Sequence, residues 1–463
     1  MRRPKSGAFV CVMLALLVST TGALAEGPNA TSYSLIVEPA QGLTAIYGLV
    51  NSARHSIDVT IYELDDTVFE QYLAKQAAAG VTVRVILDKN LEESSNQAAY
   101  TYLNANGVSA HWANPKFAAT HQKTITIDAG YISAQTAILT LNLTPRYYLD
   151  TRDFAILSDD ANDIADIETT FEGDFNSTPI TPPVGDNLVW SPTNAQSALE
   201  NLMNSAQHTL LVENEEMSDK AIVDALVSAA QRGVNVQIIM NAGTTYTSEW
   251  NRIVAVGGDV STYSSSAPLY IHAKVILADY GYPAGSVFLG SENFSVDSLT
   301  KNRELGLIID DLPTMQSLAA VMTSDFLGGK PYAGSRANFA LALTPGALST
   351  VAGSAVSATI ASAGFNAFTG SIALSAAGLP SGVAASFGPA GIEGAGSARL
   401  TLTATDDAAI GTSLVTITGV SDGLTATATI LLTVTPAERQ PTQRRRPRPV
   451  PKREPGVGLT SAP

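Results

Sequence analysis

The sequence is nearly without cysteine. Its single thiol is Cys11, which excludes disulfides within one chain, thiolate zinc sites and iron–sulfur clusters. Basic residues are scarce: 27 Lys and Arg stand against 42 Asp and Glu among 463 residues, a formal charge of −15. The two ends are basic, so residues 26–436 alone carry net −23. A body so acidic argues against a broad nucleic-acid-coating surface, which needs cations to displace counterions. Histidines number only five, so each can be considered by itself. Long apolar runs are absent after the first 25 residues. The one early run, Phe9–Val18, follows Arg2, Arg3 and Lys5 and precedes Ala23-Leu24-Ala25. That is the pattern of a secretory signal, too short to span a bilayer. Cleavage near Ala25 would leave an exported chain with no thiol and no transmembrane segment.

What the sequence does contain is a repeat. Asn51-Ser-Ala-Arg-His55 returns as Asn204-Ser-Ala-Gln-His208, and Gly80-Val81 as Gly233-Val234, both at an offset of 153. His121-Gln-Lys123 with Asp128 returns at 151 as His272-Ala-Lys274 with Asp279. Asn142 and Asn293, Arg152 and Arg303, Asp153 and Glu304, and Asp174-Phe175 and Asp325-Phe326 keep the offset of 151. Chance does not hold so many polar positions in register. Two homologous halves follow, 31–180 and 187–335. Each reads as helix, apolar strand, helix closed by a glycine, and a β-rich run, which predicts layered α/β units. The segment after the first HxK alternates, Thr124-Ile-Thr-Ile127, so His and Lys are expected on one face of a strand.

An imidazole beside an ammonium suits phosphate chemistry, as nucleophile or proton carrier next to a charge clamp. Two copies suit a two-step displacement. Here the residues resemble a known family. H-x-K-x(4)-D followed by G-S-x-N is similar to the HKD motif of the phospholipase D superfamily. Gly290-Ser-Glu-Asn293 matches it, while the first copy has Leu139-Thr-Leu-Asn142. The resemblance implies two phospholipase D-like halves packed with a shared cleft. It implies that His121 attacks phosphorus and His272 protonates the leaving group. It further implies that Lys123, Lys274, Asn142 and Asn293 hold phosphate oxygens, and that Asp153 and Glu304 orient the histidines of their own halves. Asp128 and Asp279 would be structural, and no cofactor or metal is needed. The implied activity is that of a secreted phospholipase D, with phospholipid at a membrane surface as substrate and transfer to an alcohol as a variant. The alternatives are an endonuclease of the same superfamily, which the acidity of the chain disfavours, and an inactive surface-binding homologue.

Other residues read as structural. His55 and His208 end helices, His111 is a lone ring, and Glu213, Glu215 and Glu216 read as a solvated strand end. Residues 337–436 have one basic residue and six alternating runs, among them Phe339–Leu343 and Thr425–Val434. They predict a β-sandwich resembling bacterial Ig-like modules, with an unknown surface ligand or none, and dispensable for turnover. Residues 437–463, basic and Pro-rich, read as a disordered tail.

Overall fold

The computed structural model describes residues 31–437; the signal expected at 1–25 and, apart from Ala437, the tail expected at 437–463 lie outside them. In chain order the first half has β1 (Tyr33–Glu38), α1 (Thr44–Ser52), β2 (Ser56–Ile61), α2 (Thr67–Ala78), β3 (Thr82–Leu87), α3 (Glu93–Ala105), β4 (Ser109–Trp112), β5 (Thr124–Ile127), β6 (Gln135–Leu139), β7 (Thr151–Ser158) and α4 (Ala161–Phe175). The second half repeats the order. It has β8 (Leu188–Ser191), α5 (Ala195–Ser205), β9 (Thr209–Glu213), α6 (Lys220–Gln231), β10 (Asn235–Asn241), α7 (Thr247–Val254), β11 (Asp259–Tyr263), β12 (Tyr270–Ile271), β13 (Val275–Ala278), β14 (Ser286–Gly290), α8 (Val296–Thr300), β15 (Glu304–Ile309), α9 (Leu312–Gly328) and β16 (Lys330–Pro331). The compact units do not follow the repeat. One takes 31–198, Pro268–Lys274 and Phe288–Thr314; the other takes 199–267, Val275–Val287 and the remainder.

In the first unit the strands run β1-β7-β6-β5-β2-β3-β4, with β12 added beside β7. β2, β3 and β4 are parallel, because α2 and α3 carry the chain back between them. Local sequence accounts for α2. Asp66 caps it, its carboxylate accepting from the Val68 and Phe69 N–H groups at 2.9 and 3.1 Å. Gly80, at φ +95°, ends it where a side chain would be strained. Phe69 and Leu73, one turn apart, are buried on its inner face. β5 is buried along its whole length although it alternates Thr and Ile. Its inward threonine is satisfied, since Thr126 and Thr136 share a 3.0 Å hydroxyl hydrogen bond. Separately in this unit, β8 pairs antiparallel with β15 as β1 does with β7.

In the second unit the strands run β16-β11-β10-β9-β13. Asp219 caps α6 as Asp66 caps α2. Beyond β16 the chain forms a β-sandwich. One sheet has Asn338–Thr344, Ala355–Phe365, Ser397–Ala404 and Val383–Gly388; the other has Ala347–Val351, Leu424–Thr435, Gly411–Ser421, Ser371–Ala377 and Gly391–Glu393. Ile360, Leu400 and Leu402 of one meet Ile372, Ile417 and Ile430 of the other in a common core. All six expected runs are strands. The three unexpected strands are short or lie half exposed, so they lack a clear apolar alternation.

The sandwich is fastened rather than loosely strung. Asp259 of β11, fully buried, accepts from the Arg336 backbone N–H at 2.5 Å, Arg336 Nη2 at 3.1 Å and Asn338 Nδ2 at 2.8 Å. The Tyr280 hydroxyl meets Thr429 at 2.6 Å, and the Thr416 and Thr427 hydroxyls donate to the Gly281 and Tyr280 carbonyls at 2.7 Å. Truncation after Gly334 would strand the Asp259 carboxylate without these donors. The expected cost is about 2–4 kcal/mol, discounted for the part-exposed Arg336. Urea denaturation of a 31–334 chain should show it, and Asp259→Asn in that chain should recover part. An undiminished midpoint would mean the sandwich is independent, as the sequence alone suggests.

Candidate active site

The motif aspartates come first, because each does the same work in its own repeat. Asp128 follows β5 in the left-handed region at φ 51°, and Asp279 follows β13 at φ 48°. The Asp128 carboxylate accepts the backbone N–H groups of Arg54, His55 and Ser56 at 2.7–3.2 Å. Asp279, within the other unit, accepts those of Gln207, His208 and Thr209 at 2.7–2.9 Å. Each aspartate thus closes the turn from the first helix of its half into the first inner strand. Burial opposes ionisation of Asp128, but the Arg54 and His55 N–H groups outweigh it and hold the carboxyl below its usual range. Asp128→Ala should cost about 2–4 kcal/mol in urea denaturation, from lost charge-assisted hydrogen bonds and a strained backbone. Asp128→Asn should cost less, since Asn tolerates this backbone and keeps one acceptor.

The HxK tripeptides lie just before their strands, not on them as the alternation suggests. The backbone N–H groups of His121 and Gln122 both donate to the Arg303 carbonyl at 2.9 Å, which breaks the ladder before β5 begins. Lys123 Nζ donates to its own His121 carbonyl at 2.7 Å, and Lys274 Nζ does the same to His272. Each ammonium is thereby tied to the peptide that carries its imidazole.

The carboxylates pair across the repeats, which corrects the expectation that each serves its own half. His121 Nδ1 donates to Glu304 Oε2 at 2.8 Å and also faces the Ser291 carbonyl at 3.2 Å. His272 Nδ1 donates to Asp153 at 2.9 and 3.1 Å. Register explains the exchange. β12 lies beside β7, with Tyr270 opposite Thr151 and Ile271 opposite Arg152, which delivers His272 to Asp153. Thr120 likewise bridges Arg303 and delivers His121 to Glu304. All of these residues belong to the first unit. A carboxylate only accepts, so the ring proton sits on Nδ1 and the neutral ring keeps its lone pair on Nε2.

Hydroxyls hold both carboxylates. Ser291 Oγ donates to Glu304 at 2.6 Å and accepts the Leu305 N–H at 3.1 Å. Thr140 Oγ donates to Asp153 at 2.6 Å and accepts the Phe154 N–H at 2.8 Å. The first motif therefore keeps the working hydroxyl of G-S-x-N although Leu139 replaces the glycine. Gly290 itself is required by close approach: a Cβ there would lie 2.4 Å from Gly306 Cα. Glu304 also accepts from Ser298 and Asn302 at 2.8 and 3.0 Å. Neither Thr140 nor Ser298 stood out in the sequence, although Ser291 and Thr140 hold equivalent places in the two motifs.

The electrostatics are uneven. Burial lowers the His121 imidazole to about 4; Glu304 resists, and Lys123 and Lys274 push it further down. Burial opposes the charge on Glu304, but His121, Lys123 and Ser291 outweigh it and hold that carboxyl below its usual range. Glu292 goes the other way, driven well above the carboxylate range by burial and by Glu304. Tyr62 packs edge-on to His121 at 4.6 Å, with Lys123 Nζ 5.2 Å from its ring centre. Asn142 and Asn293 each bury an Oδ1 that has no hydrogen-bond partner. Arg303, fully buried, forks onto Asp174 at 2.7 and 3.1 Å, which explains two more of the repeated positions.

His55 and His208 stack on Tyr131 and Tyr282 at 3.7 and 3.8 Å, and His111 stacks on Phe175 at 3.9 Å. Glu213 is fully buried rather than solvated, because β9 is an inner strand between β10 and β13. Among the described residues, no three His, Cys, Asp or Glu side chains gather as a metal site. No described helix is long and apolar enough to cross a membrane.

Comparison with known proteins places this arrangement. No curated protein matches the chain in sequence. Among solved structures it is similar to the polyphosphate kinase of Porphyromonas gingivalis, with TM-score 0.51 and 16% identity over 64% of this chain. It spans half the length of that kinase. It also matches Nuc, a phospholipase D family member from Salmonella typhimurium, over 31% of this chain and 95% of that one (26% identity, TM-score 0.29). NucT from Helicobacter pylori matches over 32% and 98% respectively (18% identity, TM-score 0.30). The family described as "Cardiolipin synthase, PLD-like domain" matches twice, over residues 46–175 and 199–326. Those two matches together cover more than half of the sequence and contain both HxK motifs, so the chain belongs to the phospholipase D-like family.

Proposed function

We propose that this chain is an exported phosphodiesterase that hydrolyses the headgroup ester of a phospholipid through a phosphohistidine. The observation that carries the reading is the pair of imidazoles, each fixed at Nδ1 by a carboxylate of the other repeat and each followed by a buried lysine. His121 Nε2 attacks phosphorus while the bond to the headgroup oxygen breaks, and His272 gives that oxygen a proton. Water then attacks phosphorus, His272 takes its proton, and the P–N bond breaks. Lys123, Lys274, Asn142 and Asn293 hold the phosphate oxygens. A half-turn of either amide puts a donor where the buried Oδ1 now lies. His121 suits the nucleophile because burial keeps its ring neutral. The net −20 of residues 26–336 favours a zwitterionic lipid over a polyanion.

The test is incubation of the protein in EDTA with phosphatidylcholine vesicles and, separately, with single-stranded DNA. Choline release without nicking is expected. Nicked DNA with intact lipid would replace the lipid reading by a nuclease. The pH profile provides a further check. A nucleophile must be neutral, so kcat/KM should fall as pH drops through about 4. An acid limb at the ordinary histidine value would contradict the assignment of His121.

A further inference from the structure

The two imidazole–carboxylate pairs match in nearly everything except what stands behind them. Glu38, the last residue of β1, lies directly opposite Asp153 in the antiparallel register. Ser191, the last residue of β8, lies directly opposite Glu304. Directly opposed residues put their side chains on one face, roughly 5 Å apart at Cβ. So Glu38 occupies the cross-strand place beside Asp153, whereas Ser191 occupies it beside Glu304, whose carboxyl neighbour is instead Glu292. Glu38 is 2% exposed, and neither of its carboxyl oxygens has a partner within hydrogen-bond geometry. An interior carboxyl held this way costs stability that an apolar side chain would not.

We propose that Glu38 is a positioning residue behind the Asp153–His272 pair, and that its ionisation keeps His272 protonated, as general acid, to higher pH. The charged and titratable groups that face Glu38 are Asp153 and Arg152 on β7 and Tyr47 on α1, with His272 beyond Asp153. Arg152 turns an Nη1 to the main-chain carbonyl of Glu38. Burial pushes the Glu38 carboxyl up to about 7; the Gly42 N–H opposes this, Asp153 adds to it and Arg152 opposes it. The residue therefore changes charge near neutral pH. When ionised, it adds a second negative charge on the far side of Asp153 and favours the imidazolium. When protonated, it releases His272 to accept a proton from water. Beside Glu304, Ser191 carries no charge and burial drives the Glu292 carboxyl well above the carboxylate range, so His121 meets no such second charge, in keeping with a ring that works neutral.

The inference rests on His272 acting as general acid, and the experiment separates the two. Histidine-labelled full-length protein is titrated by NMR as wild type, Glu38→Gln and Glu38→Met, with His272→Asn to assign the resonance. In both neutral variants the His272 midpoint should fall by about one pH unit and the curve should lose the breadth of a coupled titration. On a phosphodiester substrate, both variants should match wild type at pH 6 and lose about tenfold in kcat at pH 8. Coincident NMR curves would overturn the proposal, as would a uniform rate loss without a shift of the basic limb. If His272 shifts as expected but no phosphodiester is turned over, the reading of the site fails and the coupling stands.

Discussion

His121→Ala should leave no measurable turnover on any phosphodiester, because it removes the atom that bonds to phosphorus. His272→Ala should behave differently with different leaving groups. It removes the proton donor, a contribution of roughly 10²–10⁴ in rate when the leaving oxygen is a poor one such as that of choline. On a p-nitrophenyl phosphodiester the leaving oxygen is stable without a proton, so His272→Ala should still release it in the first turnover, where His121→Ala should not. Single-turnover release of the leaving group by the two variants on both substrates checks this. The reverse ranking on the activated ester would exchange the roles of the two rings. Near-wild-type rates for both would remove the mechanism.

The crossed carboxylates extend that pattern. Asp153 lies in the half that carries His121, yet it holds His272. Asp153→Asn should therefore resemble His272→Ala, with a heavy loss on a choline ester and a light one on the p-nitrophenyl ester. Glu304→Gln should resemble His121→Ala and be slow on both. An amide in place of an orienting carboxylate favours the wrong ring tautomer, and in a well-studied protease triad the corresponding change costs about 10⁴. The expected losses here are roughly 10²–10⁴, read from single-turnover rates on the two substrates. If Asp153→Asn were equally slow on both esters, and Glu304→Gln leaving-group dependent, each carboxylate would serve its own half after all.

What the sequence shows and hides follows from the repeat. The offsets of 151 and 153 reveal the halves, the HxK positions and the Asp128 and Asp279 turns, because those contacts lie within one repeat. They are silent on pairing between repeats. Asp153 stands 32 residues after His121 and Glu304 stands 32 after His272, so both pairings fit the spacing equally. Only the placement of β12 beside β7 decides it. Thr140 stayed hidden because Leu139 breaks the glycine pattern, although its hydroxyl does what that of Ser291 does. The backbone break before β5 stayed hidden too, since it depends on the Arg303 carbonyl, which is distant in sequence. Glu38 has no repeated counterpart of like charge: Ser191 holds the equivalent place.

The most direct measurement is to find the covalent intermediate. His272→Ala protein is mixed with a p-nitrophenyl phosphodiester, quenched in alkali to preserve a phosphoramidate, and digested for mass spectrometry. Without the ring that activates water, the intermediate should accumulate, with the phosphoryl ester carried on the peptide that contains His121. A burst of p-nitrophenolate should accompany it, about one equivalent per chain. An adduct on any other residue, or turnover with neither burst nor adduct, would contradict a phosphohistidine at His121.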